Sequence, residues 1–186
     1  MKLGNTRERY GAVGASLHWL VAITVFGLFG LGWYMVDLSY YDEWYRLAPD
    51  IHRSVGLILF VVVILRLVWR FSGTSPVPVS THSRLERSAA HAAHGLLYVL
   101  MFVAMISGYL ISTADGSPVH IFNWIQVPSI TGRVRGMEDI AGDVHYWVTW
   151  VLVGLAAVHA MAALKHHFID RDDTLRRMLP VRLKKS

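Results

Sequence analysis

Ten histidines are distributed through a chain that contains no cysteine. Imidazole binds metal ions, relays protons near neutral pH and donates hydrogen bonds. The absence of thiols removes disulfides, thiolate-bound zinc, iron–sulfur clusters and thioether-linked c-type haem from the available chemistry. Four of the histidines fall into two pairs once their depth in the apolar runs is read. His18 lies near the start of the first run and His159 in the matching half of the last, while His52 and His145 open the second and last runs at the opposite side. The interval from His145 to His159 returns to nearly the same helix face at about 100° per residue, and separates the rings by roughly 21 Å along the axis. Two histidines on facing helices at one depth are what bis-imidazole ligation of a haem iron needs. His52 with His145, and His18 with His159, are therefore predicted to hold two haem irons. No acidic residue lies at either depth inside the runs, which disfavours metal ions that prefer carboxylates.

Other candidates surround these four. Arg66 shares the ligand-bearing face of the helix that carries His52. Its guanidinium suits a haem propionate, and equally suits an arginine that snorkels to the interface. His91 and His94 are rivals for the site at the depth of His18, or line that haem's propionates or pack between helices. His94 is the one expected at the cofactor. His166 follows His159 by about two helical turns, which puts it roughly 10 Å further out, in the headgroup region. There it can donate a hydrogen bond and a proton to a quinone ring, or serve with Lys165 and His167 as an interfacial anchor and helix cap. His82 and His120 fall in loops and read as solvated surface residues.

The elements that must position these groups are membrane spans. Hydrophobic residues make up 54% of the chain, too many for an ordinary soluble domain of this size. No Asp, Glu, Lys or Arg occurs from Tyr10 to Val36, a stretch longer than the roughly 20 residues that cross a bilayer. Spans are expected at about 12–36, 51–70, 89–114 and 144–167, giving one all-α integral membrane domain over residues 1–186. The expected architecture is a four-helix transmembrane bundle with two haems between helices. No small-residue cleavage site follows the first run, so it is expected to remain as a helix.

Basic residues gather near the termini and between the second and third spans, among them Lys2, Arg7, Arg9, Arg70, Arg84, Arg87, Lys165, Arg171, Arg176, Arg182, Lys184 and Lys185. By the positive-inside rule both termini are cytoplasmic. Because these charges sit at the ends of apolar segments, without interleaved aromatics, they do not point to nucleic acid. The connection from Ser72 to Ser80 is short and turn-rich, and the one from Asp115 to Gly142 is a longer outer loop rich in Gly and Pro. Most tryptophans, Trp19 among them, sit near span ends as interfacial anchors.

Over nearly its whole length the chain resembles the bacterial cytochrome b561 family. The resemblance is carried by Ser16-Leu17-His18-Trp19-Leu20, by Ile51-His52 with Arg66, and by Ala90-His91 with His94-Gly95. Its most specific part is the ending, where His159 is followed by Lys165-His166-His167, Asp170, Asp173-Thr174-Leu175 and Arg177-Met178-Leu179-Pro180. The resemblance implies a four-helix protein of the bacterial inner membrane with two b haems bound by His18, His52, His145 and His159. It also implies an oxidoreductase of the superoxide:ubiquinone kind, which takes electrons from superoxide or another outer-side donor and reduces ubiquinone near the cytoplasmic side.

On the outer side Arg46, Arg53, Arg133 and Arg135 are outnumbered by Asp37, Asp42, Glu43, Asp50, Asp115, Glu138, Asp139 and Asp143. Attraction of an anion such as superoxide therefore needs a local basic funnel. Arg53, beside His52, is its first candidate, with Arg133 and Arg135 as helpers. An acidic outer face also suits a second function, a haem-bearing subunit that docks a separate dehydrogenase or a basic soluble electron carrier as its protein redox partner. A transporter is disfavoured because the spans look continuous.

Overall fold

A computed structural model describes residues 2–79 and 82–179. It is helical, with four helices long and apolar enough to cross a membrane: α1 (Ala12–Val36), α2 (Leu47–Ser72), α3 (Arg84–Thr113) and α4 (Met137–Phe168). Helix α1 coincides with its expected span, whereas α2, α3 and α4 all begin before the apolar stretch. Hydropathy marks only the part that lies in hydrocarbon, while helix continues into polar residues wherever caps and dipoles allow. At the start of α3 the Glu86 amide donates to Ser83 Oγ at 3.2 Å and the Ser83 amide donates to Glu86 Oε2 at 2.8 Å, a reciprocal capping box. Glu138 and Asp139 occupy the first turn of α4, where the helix dipole favours acidic side chains.

Many large apolar side chains are exposed, although Val21, Leu59, Val63, Met101 and Leu152 are buried. Ala15, Ala48, Ala104, Ser54, Ser107 and Thr113 are buried, while Ile23, Val61, Leu65, Val99 and Trp147 stand exposed. Small residues let backbones approach, and the large apolar side chains are left for lipid to solvate. The buried hydroxyls of Ser107 and Thr113 are satisfied on their own helix, Ser107 Oγ donating to the Val103 carbonyl at 2.7 Å and Thr113 Oγ1 to that of Tyr109 at 2.9 Å.

The chain divides into two compact units. The terminal unit lies within Met1–Ala22, Val62–Leu97 and Gly154–Ser186, and the loop unit comprises Ile23–Val61 and Tyr98–Val153. In the terminal unit the two chain ends and the connection before α3 are tied together. The Trp19 indole donates to the Met178 carbonyl at 2.9 Å, and the Tyr10 amide to Arg177 at 3.3 Å. The Val77 amide donates to Arg7 at 2.9 Å, while Arg177 Nη1 donates to the Val77 carbonyl at 2.8 Å. These bonds give the terminal motif of the sequence a structural reason, and they show that Trp19 has a protein partner as well as an interfacial position. Pro180 of that motif, the basic residues Arg182, Lys184 and Lys185, and Ser80 lie outside the described residues.

In the loop unit, the outer connection is ordered by a hairpin of β1 (Val119–Ile121) and β2 (Ile125–Val127), antiparallel in register Val119 with Val127. Phe122 and Asn123 turn it at positive φ. Ser54 of α2 fastens the hairpin, its Oγ accepting from the Phe122 amide at 3.0 Å and donating to the His120 carbonyl at 3.4 Å. Tyr109 of α3 holds the following segment by donating to the Pro128 carbonyl at 2.6 Å.

Candidate functional site

In the loop unit α2 and α4 present His52 and His145 to each other with ring centroids 6.1 Å apart and planes inclined at 75°. Imidazole nitrogen binds a metal at about 2 Å, so two rings approaching one ion from opposite sides stand about 6 Å apart between centroids. The orientation of His145 is fixed: its Nδ1 lies 2.8 Å from the Ala104 carbonyl and 3.3 Å from Ser107 Oγ. A carbonyl partner puts the proton on Nδ1 and leaves Nε2 as the metal-binding nitrogen. Two glycines make room for the rings. A Cβ at Gly108 would come within 3.1 Å of His145 Cε1, and one at Gly32 within 3.2 Å of His52 Cε1. An apolar cavity of about 540 Å³ adjoins both histidines, lined also by Phe29, Leu59, Met101 and Trp150.

A second, wider cleft of about 980 Å³ reaches the same two histidines and is lined by Arg53, Arg133, Arg135, Asp115 and Glu138. The three arginines named from the sequence thus share one cleft, although they are far apart in the chain. Arg53 also forms an ion pair with Asp50. The Ser117 amide and hydroxyl donate to Asp115 and hold its carboxyl below the ordinary carboxylate range, so it is charged at neutral pH.

In the terminal unit α1 and α4 bring His18 and His159 together at 6.3 Å between centroids, inclined at 82°. This is again the spacing of two imidazoles on opposite sides of one ion. Nδ1 of His18 is buried with no hydrogen-bond partner among the described residues. His94 of α3 approaches His159 at 5.1 Å, shorter than opposite-side ligation gives, and so stands beside the pair. His91 is exposed on α3. Arg66 lies within electrostatic reach of His18, His94 and His159.

Two imidazole pairs at matching separations, a fixed tautomer at His145, an orphaned nitrogen at His18 and a glycine-lined apolar cavity fit haem. The donor set, free of thiolate and carboxylate, agrees.

His166, at the end of α4, lies 2.7 Å from Asp170 Oδ2 and 3.3 Å from Asp172 Oδ2 through Nδ1. His120 is exposed, as expected. His82 is not the solvated loop residue its position suggested: its Nε2 is 2.9 Å from Asp172 Oδ2, and its ring stacks on His166 at 4.4 Å. Burial raises the Asp172 carboxyl, but hydrogen bonds from Thr174 and His82 outweigh it and hold the group below the ordinary range. Sequence reasoning missed this cluster and the Ala104 and Ser107 contacts to His145. Thr174 of the terminal motif is in direct contact with the cluster's carboxylate, its amide donating to Asp172 Oδ1.

A sequence model of the family described as prokaryotic cytochrome b561 matches residues 9–181. Cytochrome b561 homolog 2 of Escherichia coli K12 is 49% identical over 96% of this chain and 95% of its own. Cytochrome b561 homolog 1 of the same organism is 28% identical, over 94% of this chain and 99% of its own. A protein of Yersinia pestis named probable superoxide oxidase CybB is 26% identical, over 93% and 97%.

Proposed function

The chain belongs to the prokaryotic cytochrome b561 family of membrane electron-transfer proteins, and on that premise we propose that it holds two b haems and carries electrons from an outer-side donor to ubiquinone. His52 with His145, and His18 with His159, hold one haem each. The observation that carries this reading is the pair of imidazole separations, 6.1 and 6.3 Å, one in each compact unit. Bound there, haem supplies reversible one-electron chemistry. The protein lies in the bacterial inner membrane with both termini cytoplasmic, as its Lys and Arg distribution favours. Ala104 and Ser107 orient His145, and Arg66 and His94 supply a positive charge and a polar ring beside the inner pair. A pyridine haemochrome assay on purified protein is expected to give two b haems per chain. One haem per chain would overturn the two-site reading.

Superoxide is the donor that the wide cleft best suits. Arg53, Arg133 and Arg135 line the cleft that reaches His52 and His145 and outnumber its two carboxylates, Asp115 and Glu138, on a face that is otherwise acidic, and a local excess of one charge concentrates ions of the other. Each superoxide gives up one electron and leaves as dioxygen. Two such electrons and two protons convert the quinone to quinol. His166 stands at the end of α4, where a quinone ring enters from lipid, with Nε2 to donate to the carbonyl and pass a proton.

Arg53→Glu is expected to slow superoxide oxidation by about tenfold at low salt and to weaken its salt dependence, within the range of electrostatic steering. Breaking the pair with Asp50 adds to the reversal of charge. Oxidation of an uncharged donor should hardly change in the same variant. Stopped-flow rates that fall equally for both donors would point to damage at His52 and remove the funnel.

A further inference from the structure

Three ligand-type side chains that electron transfer does not require as a group meet in the terminal unit. His82 precedes α3, His166 lies in the last turn of α4, and Asp172 follows that helix. His82 Nε2 and His166 Nδ1 approach the same oxygen, Asp172 Oδ2, at 2.9 and 3.3 Å. One ligand atom from each residue lies within 4.8 Å of the other two. We propose that His82, His166 and Asp172 bind a divalent zinc-class metal ion, which clasps the segment after α4 to the connection before α3.

The spacing suits such an ion. Bonds of about 2.0–2.1 Å in a tetrahedral site put neighbouring ligand atoms about 3.3 Å apart. Two of the three separations are already close to that. The carboxylate is prepared for the role, since its side chain is only 5% exposed and its other oxygen, Oδ1, accepts the Thr174 amide at 2.8 Å. That bond aims Oδ2 at the histidines in the manner of an outer-shell partner. His166 Nδ1 is sealed from solvent, and neither of its carboxylate neighbours is aligned with it as a hydrogen bond. A nitrogen so placed is better used by a cation. Asp170 is taken up by Lys165, whose Nζ donates to it at 2.8 Å, so it is not counted among the ligands.

Two imidazoles and one carboxylate select against calcium and magnesium, which take oxygen ligands, and for a borderline ion such as Zn2+. The clasp would fix the stretch whose Arg177 and Met178 carbonyls receive Tyr10 and Trp19. Binding through Nδ1 leaves His166 Nε2 for a quinone, and the ion is detected without any quinone present, so this site stands or falls apart from the quinone reading.

The test uses tag-free, haem-loaded protein freed of metals by a chelator and titrated with Zn2+ against a chromophoric competitor. One high-affinity zinc per chain is expected, with X-ray absorption at the zinc edge showing two imidazole ligands. His82→Gln and Asp172→Asn should each weaken binding by at least about tenfold, with haem spectra unchanged. Absence of stoichiometric binding, or wild-type affinity in both variants, would overturn the site. Should either variant lose haem, the zinc-edge spectrum of the unaltered protein decides, and fewer than two imidazoles refutes the proposal.

Discussion

His52→Ala and His145→Ala are each expected to lose one and the same haem, and His18→Ala and His159→Ala each the other, so that every single variant should fall from two haems per chain to one. This is the largest change expected from any single substitution here. Ligation from opposite sides requires both rings. The proposed pairing rests on the separations of 6.1 Å for His52 with His145 and 6.3 Å for His18 with His159. Each pair lies within its own compact unit, so loss of one site should leave the other's spectrum intact. His94→Ala is the contrasting case. Its ring is 5.1 Å from that of His159, beside the pair, and both haems should remain while the band of the His18 and His159 site shifts. The measurement is haem content with resolved low-temperature α-bands. Loss of a common band in His18→Ala and His145→Ala would refute the pairing.

His166→Ala is expected to keep both haems yet lower quinone-dependent turnover by about a hundredfold, the lower end of what a positioned acid–base group contributes. The side chain is only 14% exposed, and Nδ1 lies 2.7 Å from Asp170 Oδ2 and 3.3 Å from Asp172 Oδ2, so the role toward a quinone falls to Nε2. His167→Ala should do much less, because its ring points about 100° around the helix and packs on Phe168 at 4.8 Å. Asp172→Asn separates chemistry from scaffolding: it weakens the clasp but keeps the imidazole. If Asp172→Asn slows turnover as much as His166→Ala, the residue serves only to hold the segment after α4. A lost or flattened pH dependence confined to His166→Ala marks proton transfer. Unchanged quinone kinetics in that variant, with normal haem content, would remove His166 from the site.

Much of the architecture was legible because it rests on local quantities. The transfer of apolar residues into hydrocarbon and the period of the helix are fixed by stretches of about 20 residues. Four such stretches locate the spans, and the interval from His145 to His159 places two rings on one face. The depth argument could therefore pair histidines before any contact was known. Even the terminal motif announced itself, although its purpose did not.

What the tertiary structure alone decided involves groups brought together by chain reversal. Arg53 and the two loop arginines share a cleft because Ser54 and Tyr109 tie the hairpin and its following segment to α2 and α3. His145 owes its tautomer to a carbonyl on another helix, at Ala104. His82 looked like a surface residue because loops usually are solvated. It is half-buried because Asp172, ninety positions later, turns back to receive its nitrogen. Hydropathy and helical period say which residues leave water and which share a face. Hydrogen bonds between distant segments depend on where the chain returns, and no local property of the sequence encodes that.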